Sequence, residues 1–140
     1  MTRSFFISIA IAAGCFVSCK KNSAPNQPPA YFSWSINGGT GQVSDTTSFL
    51  SLFGINTIFG TKGTTNVYIS TNSTNTGIYS KLSASAGFGV IIAGTQYNSI
   101  SGIINIISNT DRRLSGTFGS QLIATIDTID INGNFSNIRY

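Results

Sequence analysis

From residue 31 onward, apolar and polar residues alternate with a period of two, the spacing that places one face of a β-strand in a core. Phe32, Trp34 and Ile36 alternate with Ser33 and Ser35, and Asn37-Gly38-Gly39 then offers residues able to reverse the chain. Later, Leu114, Gly116, Phe118, Ser120, Leu122 and Ala124 fall on one face of a long strand, with Arg113, Ser115, Thr117 and Gly119 on the wetter face. The same pattern predicts strands over 49–53, 55–59, 65–71, 77–82, 89–93, 102–107, 126–131 and 135–140. Turn signals stand between them at Gly60-Thr61-Lys62-Gly63, Asn72-Ser73-Thr74-Asn75, Asn109-Thr110-Asp111 and Asn132-Gly133-Asn134. No segment after the leader carries a helical period.

Short strands at this spacing predict an all-β domain, an antiparallel β-sandwich or a strongly curved barrel of about eight or nine strands. Its expected core collects Trp34, Phe49, Phe53, Phe59, Tyr68, Phe88, Ile92, Ile104, Ile106, Phe118, Leu122, Ile129, Ile131 and Phe135. Ile103-Ile104-Asn105-Ile106-Ile107 is apolar on both faces, which suits a central strand. Gly116 and Gly119 inside the long strand predict a bulge, a bend or close sheet contact. The closing segment is expected to be a hairpin that turns at Asn132-Gly133-Asn134.

The pattern before residue 31 is different. Arg3 precedes a nearly unbroken apolar run from Phe5 to Val17, followed by Cys19 and Lys20-Lys21. That order reads as a secretory signal ending at a cysteine that can be lipidated. The run covers 13 residues, whereas a spanning helix needs roughly 17–25. Cys19, followed by Lys20, Lys21, Asn22, Ser23 and the prolines at 25, 28 and 29, is the favoured lipidation site. Cys15, preceded by Ala12-Ala13-Gly14, is the runner-up. The expected organisation is a lipoprotein signal peptide over 1–18, a lipidated cysteine and flexible tether over 19–30, and a single all-β domain over 31–140.

Charge and composition narrow the chemistry. Losing Arg3 with the leader lowers the formal net charge from +4 to +3. Lys62, Lys81, Arg112, Arg113 and Arg139 are scattered along the chain, and no nucleic-acid motif accompanies them. There is no histidine and no glutamate, and both cysteines lie in the leader. Ser-His-Asp and Cys-His systems and zinc sites are therefore excluded, and no cofactor is expected. Asp45, Asp111, Asp127 and Asp130 are the only side-chain carboxylates. Asp130-Ile131-Asn132-Gly133 resembles a fragment of a calcium loop but lacks the later bidentate glutamate. It reads instead as a strand entering a Gly133-Asn134 turn.

Gly77-Ile78-Tyr79, Tyr97, Gly102 to Ile106, Arg113-Leu114-Ser115-Gly116-Thr117-Phe118 and Ile131 to Tyr140 together resemble a family of small β-rich lipoproteins of the Bacteroidota. Asn37-Gly38 after an aromatic strand is similar to that family's opening hairpin, and Ser18-Cys19-Lys20-Lys21 to its leaders. Related chains often carry a tryptophan soon after the opening Asn-Gly, and Gly39 to Val43 holds none. The resemblance implies a β-sandwich-like domain behind a lipidated cysteine and brings no known activity. It also implies an outer-membrane location. Surface lipoproteins of that phylum are often acidic after the cysteine, so the basic Lys20-Lys21 favours the periplasmic face over the cell surface.

The expected function is a lipid-anchored, non-enzymatic envelope protein with a structural or interaction role. The partners would be membrane lipid, through the acylated cysteine, and an envelope protein or glycan, but no nucleic acid. A glycan- or peptide-binding module using an aromatic and Asn/Ser/Thr-rich face is the alternative. A hydrolase without histidine is the remotest. The candidate ligand face comprises Tyr79, Tyr97 and Arg113, with Tyr97 displayed on a loop over 94–101.

Overall fold

The computed structural model describes residues 27–125 and 127–140. The leader, Cys15, Cys19 and the tether as far as residue 26 lie outside these residues. The described chain forms ten strands: β1 (Tyr31–Ile36), β2 (Gln42–Val43), β3 (Thr46–Leu52), β4 (Ile55–Lys62), β5 (Thr65–Thr71), β6 (Gly77–Ser80), β7 (Ala86–Ile92), β8 (Thr95–Thr110), β9 (Arg113–Ala124) and β10 (Asp127–Arg139). They form one antiparallel sheet in the order β2-β1-β10-β9-β8-β7-β5-β4-β3, with β6 also paired to β8. Ile103 to Ile107 lies in the central strand β8, as its two-sided apolar character suggests.

The sheet curls on itself. The backbone N–H of Ser44 donates to Phe32 of β1, and that of the next residue, Asp45, donates to Thr61 of β4. The segment linking β2 to β3 thus passes from one sheet edge to the other and draws them together. Phe32 spans the interior, since a methyl group built at Gly60 of β4 would lie 2.3 Å from its ring. Its ring stacks on Phe118 at 5.3 Å and meets Trp34 at 5.7 Å. Near the outer end of β10 the edges approach again, with the Phe49 and Tyr140 rings 5.5 Å apart.

The core is filled by alternate positions of every long strand, including Ile58, Val67, Ile69, Val90, Ile104, Leu122 and Phe135. The enclosed space between Phe49, Ile58, Ile104, Leu114 and Phe135 is about 10 Å³, room for at most one water. This interior is a packed core and not a ligand channel.

Three expectations need correction. Asn132-Gly133-Asn134 makes no turn: β10 runs unbroken from Asp127 to Arg139, and Gly133 pairs with Trp34 on one side and Phe118 on the other. Phe53 is 95% exposed and Phe59 also faces solvent. Ile58 and Gly60 are the inward positions of β4, so the intervening Phe59 must point outward. Tyr97 sits within β8, not on a loop. The expectation for Gly116 and Gly119 holds as close sheet contact: a Cβ at Gly116 would lie 2.1 Å from the Asn105 carbonyl oxygen and one at Gly119 2.7 Å from Asn132 Oδ1. Gly116 also pairs with Ile106 and Phe135, where one of the two register breaks of β8 and the break of β10 begin.

Candidate functional site

The residues expected to share a ligand face do not meet. Tyr97 is buried, and its hydroxyl donates to Asp127 Oδ2 at 2.9 Å, at the end of the sheet where β10 begins. That bond, and then burial, raise its pKa above the ordinary tyrosine value. Arg113 lies at the opposite end of β9, where its guanidinium donates to the Asn137 carbonyl at 3.3 Å and to Gln27. Tyr79 packs partly against the core and donates to the Asn75 carbonyl at 2.7 Å. Each of the three side chains is engaged in a local bond.

The carboxylates are also dispersed. Asp45 accepts from Lys62 at 2.6 Å, which lowers its pKa below the ordinary carboxylate value. Asp130 accepts from Gln121 at 3.3 Å and Asp111 occupies the β8–β9 turn. Among the described residues no three His, Cys, Asp or Glu side chains gather where they could hold a metal ion.

The surface with the most coherent chemistry is the outer face of β8, β9, β10 and β1. Register places Ile103, Gly119, Asn132 and Ser35 in one row and Asn105, Thr117, Asn134 and Ser33 in the next. Three neighbouring depressions cover these rows, and Asn132 lines all three. Gly119 creates the central dip. A Cβ there would come within 2.7 Å of Asn132 Oδ1, so the amide of Asn132 leans over a position that only glycine leaves open. Beyond it, Gln121 and Asp130 close one end of the trough, and Ser33 donates to Asn134 Oδ1 at 3.0 Å at the other.

The trough is a row of amides and hydroxyls over a glycine floor, with Ile103 as an apolar edge. Uncharged amides and hydroxyls both donate and accept, so they can match a ligand rich in hydroxyl groups. The sequence signal for it is the alternation of Asn, Ser, Thr and Gly at outward positions of four strands. Sequence reasoning missed it because strand order alone brings β1 beside β10. No family model, no curated protein and no solved structure matches the chain.

Proposed function

We propose that this chain is a lipid-anchored, non-enzymatic protein of the bacterial cell envelope that works by binding, with the trough over β8, β9, β10 and β1 as its recognition surface. The ligand class it suits is a neutral glycan. The observation that carries the reading is the convergence of Asn105, Thr117, Asn132 and Asn134 around the gap left by Gly119. Support for the anchor comes from the leader ending at Cys19 and the basic, proline-containing tether behind it. The likeness to small β-rich lipoproteins of the Bacteroidota favours the outer membrane, on its periplasmic face.

Glycan and peptidoglycan arrays probed with a leaderless chain test the binding surface, beside the Asn132→Ala variant. Asn132 is exposed, so this substitution leaves the core intact. Retention of a glycan by the parent and its loss from Asn132→Ala is the expected result. Uniformly blank arrays, or equal binding by both chains, would refute the trough. Conversion of Cys19 to alanine should shift the protein from the membrane fraction to a soluble or uncleaved form, and an acylated Cys15 at the mature amino terminus would refute Cys19.

A further inference from the structure

We propose that the β3–β4 end of the curled sheet docks on an anionic lipid bilayer, with the tip Leu52-Phe53-Gly54-Ile55 entering the headgroup region. This builds on the lipid-anchor reading of Cys19 and gives the domain a second membrane contact. The tip is unusual as a turn. Leu52 pairs with Ile55, leaving Phe53 and Gly54 as a two-residue loop with φ of 50° and 78°. Asn-Gly is the sequence such a turn favours, and a bulky side chain at positive φ is strained. Phe53 recovers nothing through packing, because 95% of its surface is exposed. Leu50, Leu52 and Ile55 are exposed beside it. Fold stability therefore does not account for a phenylalanine here, and strain at an exposed apolar tip points to a contact outside the domain.

Charge sits at the same end. Phe49 of β3 touches Tyr140, and the Arg112 guanidinium lies 5.7 Å from the centre of the Tyr140 ring. Arg113 and Arg139 are direct register partners on β9 and β10, a like-charge pairing that costs stability. The neighbouring carboxylate is Asp111. Asp127 and Asp130 lie toward the far end of β10, and Asp45 is taken up by Lys62. Three arginines thus flank an apolar tip, an arrangement that suits anionic headgroups.

The path of the chain selects the bilayer over other occupants. Gln27 and Pro28 lie against Thr110, Asp111, Arg113 and Asn137, so the segment leading back to Cys19 departs from this end. An acyl chain at Cys19 and the β3–β4 tip would then face the same surface. A two-residue tip is also too small for a stable protein interface, which buries on the order of 1,000 Å² or more. A few apolar side chains with adjacent cations suffice for interfacial insertion once an anchor holds the domain nearby.

Tryptophan fluorescence of the full, naturally processed chain tests this in vesicles of brominated phosphatidylglycerol and phosphatidylethanolamine. The native Trp34 is the only tryptophan and is buried. Phe53→Trp places a reporter on the tip, and Thr95→Trp places one at the opposite end of β8. The expected result is a blue-shifted Phe53→Trp signal quenched by about half or more, with wild type and Thr95→Trp unquenched. Flotation reports the anchor separately. Chains that float while Phe53→Trp stays unquenched overturn the docking and leave the anchor standing. If Phe53→Trp remains quenched while mass spectrometry of the mature amino terminus finds no acyl group on the cysteine, docking stands and the anchor reading falls. No flotation and no quenching overturns both. A blue shift that follows protein concentration, without bromine quenching, assigns the tip to a second copy and also overturns the proposal.

Discussion

Replacing Gly133 with alanine adds one methyl group, yet it should be among the most damaging small changes in this fold. An ideal Cβ at Gly133 would stand 2.2 Å from the Ser33 carbonyl oxygen and 2.4 Å from the Phe118 ring. Neither neighbour can retreat freely. Ser33 belongs to β1, which is held to β10 by continuous pairing from Tyr31 to Ile36, and Phe118 is stacked on the buried Phe32. Overpacking costs roughly 1–3 kcal/mol, and a backbone clash argues for the upper end. At roughly 2 cal/mol/K per residue of unfolding entropy, a loss of about 3 kcal/mol lowers Tm by about 13 °C in a domain of this size. Gly41→Ala is the matched control, since nothing lies within 4 Å of its Cβ. That change should leave Tm level or raise it, because alanine restricts the unfolded chain by about 0.4–1 kcal/mol. Thermal melts and urea titrations of leaderless chains would measure both. Phe118→Leu added to Gly133→Ala removes the ring contact but not the carbonyl contact, so it should restore only part of the loss. Equal midpoints for Gly133→Ala and the parent would refute the packing of β1 against β10 described above.

Three further outcomes follow from the core and from its few polar contacts. Truncation after Gly133 removes Phe135 and Ile138, each 2% exposed, and strips β10 pairing from both β1 and β9. Truncating a buried phenylalanine alone costs roughly 3–5 kcal/mol, so the product should be insoluble or lack a cooperative melt, and a midpoint equal to the parent's would contradict this. Trp34 Nε1 is buried without a hydrogen-bond partner. Trp34→Phe sheds that unsatisfied donor, which ordinarily costs about 1–3 kcal/mol, and should therefore be tolerated while Trp34→Ala is not, as judged by urea midpoints. For Tyr97, the bond to Asp127 favours the protonated phenol in the folded state and raises its pKa. Its stabilisation is complete below the ordinary tyrosine range and is lost as pH rises through about 10 and beyond. The Tm of the parent should thus fall more steeply than that of Tyr97→Phe between about pH 9 and 11.

Local pattern carried much of the fold. Period-two alternation placed β1, β5 and β9 closely, and identified Leu114, Phe118 and Leu122 as inward. It failed where adjacent residues were both apolar. In Ile58-Phe59 only parity against the pairing strand decides which side chain enters the core, and size alone favoured the wrong one; at Leu52-Phe53 neither enters, because both stand at the exposed β3–β4 tip. Asn132-Gly133-Asn134 misled for a different reason. Turn-forming residues sit mid-strand because Phe118 and the Ser33 carbonyl occupy the space a side chain would need. The trough was legible only in part: its amides and hydroxyls are visible in the sequence, but the row they form needs the order of four strands.

The position of β10 also governs when the domain can assemble. The first strand, β1, has β10 as its one long partner, and Ser33 bonds to Asn134 across 101 residues of chain. Closing so long a loop must precede any reward from the pairing, which places the fold among the slow ones, with folding times of milliseconds to seconds. During synthesis β1 leaves the ribosome long before its partner exists, and Phe32 and Trp34 have no finished core to enter. The stacking of Phe32 on Phe118 and the pairing of β1 can therefore be completed only after β10 has been made.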